Sequence, residues 1–173
     1  MRFIVFLVLI FFNSYTKEVS ASDYILDVGD KIEIFVYGEL DLTRKLKISK
    51  SGLVSFPFVE DIQVIGLTVK DIEKIIHEGL LGDYLVNPQV SVLIVEYRPF
   101  FIHGQVFRPG GIPYQEDLRF DKAIALAGGL TNRASKDDWK ITRVIDGKSV
   151  VIEADITTPV KPDDIIEIGR SFF

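Results

Sequence analysis

Two adjacent acid pairs, Glu60-Asp61 and Asp137-Asp138, are the residues whose types could do chemistry. Paired carboxylates are the minimum for glycoside hydrolysis in most families. Neighbours on an extended chain point to opposite faces, so neither pair converges on one substrate atom. Both pairs are read as turn and loop residues. The only histidines are His77 and His103, and there is no cysteine and no Gly-x-Ser-x-Gly segment. A thiolate zinc site, a disulfide framework and a serine nucleophile of the elbow type are therefore absent from the sequence. His77 has no second ligand nearby and reads as a surface histidine. The expectation is no catalytic residue, no metal ligand, no cofactor and no enzyme. Tyr97, Phe100, Tyr114 and Trp139 could stack on sugar rings, although aromatic residues in strands more often fill cores.

The chain has 173 residues, enough for one medium domain or two small ones. Its 47% hydrophobic and 26% charged residues are those of a globular protein. A formal charge of -5 argues against a nucleic-acid partner, which would call for a basic patch. Arg2 precedes an unbroken apolar run, Phe3 to Phe12, and Val19-Ser20-Ala21 then supplies small residues. That pattern predicts a signal peptide over residues 1–21, cleaved after Ala21. The run is about half the roughly 20 residues a membrane span needs. Its removal takes away Arg2, Lys17 and Glu18, so the mature charge becomes about -6. Without a cysteine there is no lipobox, and a periplasmic or secreted location is expected.

The elements that would carry these residues follow from periodicity. Asp27-Val28-Gly29-Asp30 is turn chemistry, and Ile32, Ile34 and Val36 alternate with polar or outward positions as in a strand. Glu39 to Thr43 reads as loop, and Leu46 and Ile48 alternate with lysines in a second strand. After the Lys50-Ser51-Gly52 turn, Leu53 to Phe58 reads as extended, up to and past Pro57. Thr68 is an N-cap with Asp71 at capping-box spacing and Leu67 as a staple onto Ile72. Val69, Ile72, Ile75, Ile76 and Leu80 make one apolar helix face. Val90 to Tyr97 is a strand broken at Arg98-Pro99, and Phe100 to Val106 is the next. Arg108-Pro109-Gly110-Gly111 is a turn, followed by a short extended piece from Ile112 to Tyr114. A second helix spans Phe120 to Ala127, stopped by Gly128-Gly129. Lys140 to Val144 and Val150 to Ala154 form a hairpin through Asp146-Gly147. Pro162-Asp163-Asp164 turns into a last strand, Ile165 to Ile168. The order β-β-helix-β, then β-β-helix-β-β-β, predicts an α+β protein of two small domains with a boundary near Tyr97-Arg98-Pro99.

Five blocks in fixed order resemble one family. Tyr24 to Ile32 (YILDVGDKI) is similar to an opening Y-x-L-G-x-G-D-x-L. Lys50 to Pro57 is similar to a D-G-x-I-x-x-P turn, Val64 to Thr68 to V-x-G-L-T, and Asn87 to Val92 to D-P-Q-V-S-V. Gly104-Gln105-Val106 through Pro109-Gly110, with Ala125 to Thr131 (ALAGGLT), resembles the start of a soluble-ligand-binding β-grasp (SLBB) domain. Together they resemble the bacterial outer-membrane polysaccharide export proteins of capsule and exopolysaccharide translocons. The resemblance implies a β-rich export domain over residues 22–97 and an SLBB domain over 98–173. Asp27 replaces a usual glycine, and Arg119 a usual capping threonine. Longer members continue into further repeats and a membrane-spanning helix, so the expectation is the short, periplasmic form associated with the outer membrane. The resemblance also implies a homo-oligomeric ring that passes polysaccharide. Its implied partners are an inner-membrane co-polymerase and a separate outer-membrane β-barrel pore. The competing expectation is a monomeric periplasmic module that binds a glycan or small ligand.

Overall fold

The computed structural model describes residues 24–171, and the expected signal peptide lies outside them. β1 (Lys31–Val36) buries Ile32, Ile34 and Val36 on one face. It is the centre of an antiparallel sheet, β2-β1-β5, with β2 (Arg44–Lys47) and β5 (Val90–Glu96). Between β1 and β2 the expected loop holds one 3-10 turn, Leu40–Leu42, because Leu42 drops into the core.

One element differs from the expectation. The chain does not run extended through Phe58. It folds back as a hairpin of β3 (Leu53–Phe56) and β4 (Val59–Gln63). Phe56 pairs with Val59, so Pro57 and Phe58 are the two central turn residues. Phe58 has φ 65. Proline then a residue of positive φ is the backbone of a type II turn, whose second position normally belongs to Gly or Asn. A phenylalanine there costs about 1–2 kcal/mol of backbone strain. The hairpin also moves Glu60-Asp61 from the expected loop onto a strand.

α1 (Val69–Leu80) begins at Thr68, whose hydroxyl accepts from the Asp71 N–H while the Asp71 carboxylate accepts from the Thr68 N–H. Ile72, Ile76 and Leu80 are buried, but Ile75 is exposed. The core-facing stripe is therefore narrower than the apolar pattern. Glu73 accepts a hydrogen bond from the Val92 N–H at 2.8 Å and so helps close the open edge of β5. These elements enclose one core that includes Leu26, Ile34, Phe56 and Ile76.

A second core begins at Phe100. β6 (Pro99–Gly104), β7 (Gly110–Pro113), β8 (Ala134–Ile145), β9 (Lys148–Glu153) and β10 (Ile165–Arg170) form a mixed sheet, order β7-β6-β10-β8-β9. Only β6 and β10 are parallel. α2 (Phe120–Leu126) packs Phe120 and Ala123 against it, as an α+β grip on one helix. Arg119 gives no side-chain cap. The carbonyls of Thr158 and Ile156 instead accept from the Phe120 and Asp121 N–H groups at 3.0 and 3.1 Å. A neighbouring loop thus satisfies the helix start that threonine would have capped. β8 starts earlier than expected, so Asp137-Asp138 also lies on a strand. Asp146 and Gly147, both at positive φ, make the expected tight turn between β8 and β9.

Candidate functional site

The sequence singles out Asp30 as turn chemistry, and the fold makes it the most connected acid among the described residues. It is fully buried. One carboxylate oxygen accepts from the Arg98 backbone N–H at 2.8 Å and from the Tyr24 hydroxyl at 2.9 Å. The other accepts from the Asp27 N–H at 3.0 Å and from the Arg98 guanidinium at 2.9 Å. Arg98, only 14% exposed in its side chain, also donates to Asp163 at 2.5 Å. It therefore ties an acid from before β1 to an acid from before β10. Its guanidinium carbon lies 5.6 Å from the Tyr24 ring centre. A charge this deep is held only by such complete pairing.

Asp164 repeats the device. It is fully buried, accepts from Arg143 through both oxygens at 2.7 Å, and accepts from the Lys161 N–H at 2.7 Å. The two acids sit in matching segments. Leu26-Asp27-Val28-Gly29-Asp30-Lys31-Ile32-Glu33-Ile34 parallels Val160-Lys161-Pro162-Asp163-Asp164-Ile165-Ile166-Glu167-Ile168. In each, a residue at positive φ (Gly29, Asp163) precedes the buried acid, which folds back onto the N–H three positions earlier. Each then opens a strand with two buried isoleucines. The chain has one turn-and-strand unit used twice, once per core.

Between the two cores lies a cavity of about 670 Å³, bordered by Tyr24, Asp27, Arg98, Tyr114, Arg143 and Asp163, among others. Tyr97 meets both Tyr24 and Tyr114 edge to face, with centroids 4.8 and 5.6 Å apart. Its hydroxyl donates to Glu116. Burial, then the charge of Asp30 beside it, pushes the Tyr24 phenol well above the usual tyrosine range. Burial and the Glu116 hydrogen bond do the same for Tyr97. These phenols hold their protons more tightly folded than unfolded. Their contribution to stability is full below pH about 10 and is lost as pH rises through the folded values. Unfolding free energy followed against pH should decline above about pH 10. Tyr24→Phe should flatten that decline while costing about 1.5–3 kcal/mol at neutral pH, the worth of a hydrogen bond to a charged acceptor.

This arrangement is a brace between the two units. The acids that border Arg98 are each committed to a structural partner, and among the described residues no side chain is poised as a nucleophile beside a base. Among the described residues, no group of three or more His, Asp or Glu could hold a metal. The His77 ring nitrogen bonds the Pro88 carbonyl at 2.8 Å, and His103 stands alone on β6. The two acid pairs are exposed and lie on different units: Glu60-Asp61 on β4, Asp137-Asp138 on β8, where Asp137 binds Ser135 and Asp138 binds Lys140. Of the four aromatic residues that could stack on sugars, Phe100 and Trp139 are core, with Trp139 stacked on Phe120 at 5.3 Å. Tyr97 and Tyr114 belong to the brace.

Residues 18–95 match the family of polysaccharide biosynthesis/export proteins, and residues 99–153 match the SLBB domain. The two matches in sequence support a polysaccharide export protein with an SLBB domain. Curated relatives agree. The exopolysaccharide production protein ExoF of Rhizobium meliloti is 35% identical over 85 residues, which is 48% of this chain and 20% of the relative. The EPS I polysaccharide export outer membrane protein EpsA of Ralstonia nicotianae is 25% identical over 124 residues, 70% of this chain and 32% of the relative. This chain thus spans between a fifth and a third of the length of these relatives. In this export protein, the family's opening aspartate is the buried Asp30. Its Arg98 partner lies between the two matched regions, where the sequence shows only a broken strand.

Proposed function

We propose that this polysaccharide export protein is a periplasmic, non-enzymatic component of an exporter, delivered by cleavage of residues 1–21. Its export domain (22–97) and SLBB domain (98–173) act as a braced pair within a homo-oligomeric conduit associated with the outer membrane. The polymer is a capsular or exopolysaccharide. An inner-membrane co-polymerase delivers it, and a separate outer-membrane β-barrel releases it. The Arg98 brace is the observation that carries this reading. A conduit wall needs two units held at a fixed angle and a polar lining without tight sites, and the buried clasp supplies that rigidity without supplying chemistry. The β8–β9 hairpin adds a surface for self-association. Val144, Ile145, Val150 and Val151 are exposed near its tip, and β9 is a sheet edge. Head-to-tail contacts that close into a ring need such a patch.

Deletion of the gene tests the export role. Polymer synthesis should continue while the product collects in the periplasm, and normal surface polysaccharide would refute it. Complementation with Val151→Lys tests the assembly. Periplasmic cross-linking should give a ladder of oligomers with the wild-type protein and mainly monomer with the variant. An unchanged ladder removes the hairpin from the contact.

A further inference from the structure

In the junction cavity Asp27, Arg98, Arg143, Asp163 and Asp164 are spent on one another, and of its charged groups only Lys161 is not in an ion pair. The opposite holds at the β3–β4 hairpin. Phe58 is 58% exposed and stacks on Tyr84, itself 52% exposed, with ring centres 4.5 Å apart and planes 29° from parallel. Beside this pair runs a groove of about 600 Å³ between β4 and α1, walled by Phe58 and Ile75. Its rim carries Glu60, Asp61 and Gln63, and no lysine or arginine. Among the described residues the side chains of Glu60 and Asp61 have no ion-pair or hydrogen-bond partner. At Gly79 the helix comes so close to the hairpin that an added Cβ would stand 2.9 Å from Val59. The Val59 side chain packed on Gly79 therefore closes the groove from below.

We propose that this groove and its aromatic pair form a subsite for a neutral glycan segment. The apolar C–H face of a pyranose ring fits the exposed face of the pair, and its hydroxyls donate to the Asp61 carboxylate and the Gln63 amide oxygen, which share one face of β4. The choice of a neutral polymer comes from charge. Two acids with no cation beside them repel a uronate chain, and Asp61 accepts from hydroxyls. The conformation of Phe58 points the same way. The turn would be relaxed by glycine, yet a large ring is kept there at positive φ and left mostly in solvent. The subsite takes its occupant from the export reading, but it is testable without it.

The experiment is a titration of the full mature chain with neutral hexasaccharides of dextran, cellulose and laminarin type, with a hexagalacturonate as the anionic control. Amide chemical shifts are followed by NMR. Weak, saturable shifts confined to residues 58–63 and Tyr84 are expected from at least one neutral ligand and none from the uronate. Phe58→Gly should weaken that binding roughly tenfold while leaving the melting temperature unchanged or higher, because it removes the ring and the strain together. A ring kept only as a structural staple would instead lower the melting temperature and leave the titration as it was. No shift from any neutral hexasaccharide, or equal binding by Phe58→Gly, overturns the subsite. So does a change in sedimentation of Phe58→Gly without ligand, which would make this surface a contact between copies. Normal export in the deletion strain would remove the conduit role and leave the titration result standing.

Discussion

Arg98→Ala should lower the unfolding free energy by about 3–5 kcal/mol, the cost of stripping one partner from a buried ion pair. The size follows from what remains. Asp30 is fully buried and loses the guanidinium 2.9 Å away, while the backbone N–H groups of Asp27 and Arg98 still hold its carboxylate in place. The acid can neither reach water nor find another cation. Asp163 loses its partner too, at an exposed position where the loss is small. Arg98→Met separates charge from packing: it keeps an aliphatic stem against Tyr24 and removes the fork, so it should cost nearly as much as alanine. Arg98→Lys keeps the charge but cannot serve Asp30 and Asp163 at once, and should fall between. Denaturant melts give the free energies. Limited proteolysis gives the mechanical consequence, because cleavage near Glu96–Pro99 should accelerate once the two cores are no longer pinned. Unfolding unchanged to within 1 kcal/mol would show that the clasp is ornamental.

The elements of this fold were legible where local physics decides them. The Thr68–Asp71 box, the Gly128-Gly129 stop and the Asp146-Gly147 turn are short-range devices, and each stands where its residues predict. The misses share a cause. Phe58 gave no turn signal because a type II turn advertises itself through Gly or Asn, and this chain tolerates strain instead. Asp137-Asp138 reads as loop because polar residues dominate, and it lies in a bulge of β8, between the Trp139–Ile168 and Ala134–Arg170 pairs with β10. Ile75 belongs to the apolar stripe by spacing but faces the groove beside β4. Arg98 was visible only as the residue before a proline. Its partner is 68 positions away, and no local pattern announces a pairing at that range. One signal was available: comparing Leu26–Ile34 with Val160–Ile168 exposes two aspartates in one setting, each in need of a buried cation.

Gly104 tests how far the second unit depends on the repeated clasp. It ends β6 with φ +87, opposite Ile168 in the parallel pair with β10. A Cβ there would stand 2.2 Å from the Ile168 carbonyl oxygen. That oxygen is main chain and also accepts from the Gln105 N–H at 3.0 Å, so it cannot swing aside as a side chain would. Gly104→Ala therefore combines about 1–2 kcal/mol for a left-handed alanine with about 1–3 kcal/mol of overpacking, roughly 2–5 kcal/mol together. Two other glycines divide those contributions. Gly82→Ala has φ +89 and open space, so it should show the conformational cost alone. Gly169→Ala meets the carboxylate of Asp138, which can rotate away, but also its Cβ at 2.8 Å, which cannot. It should show the overpacking cost without the left-handed one. The structural consequence reaches beyond β6. Pushing β10 off its parallel neighbour moves Asp164, at the start of that strand, away from Arg143 and leaves a second buried carboxylate short of its cation. Gly104→Ala and Asp164→Ala should therefore be strongly non-additive in a double-mutant cycle, with the double variant little worse than the poorer single one. Additive losses would mean that the strand pairing and the clasp hold the SLBB domain independently.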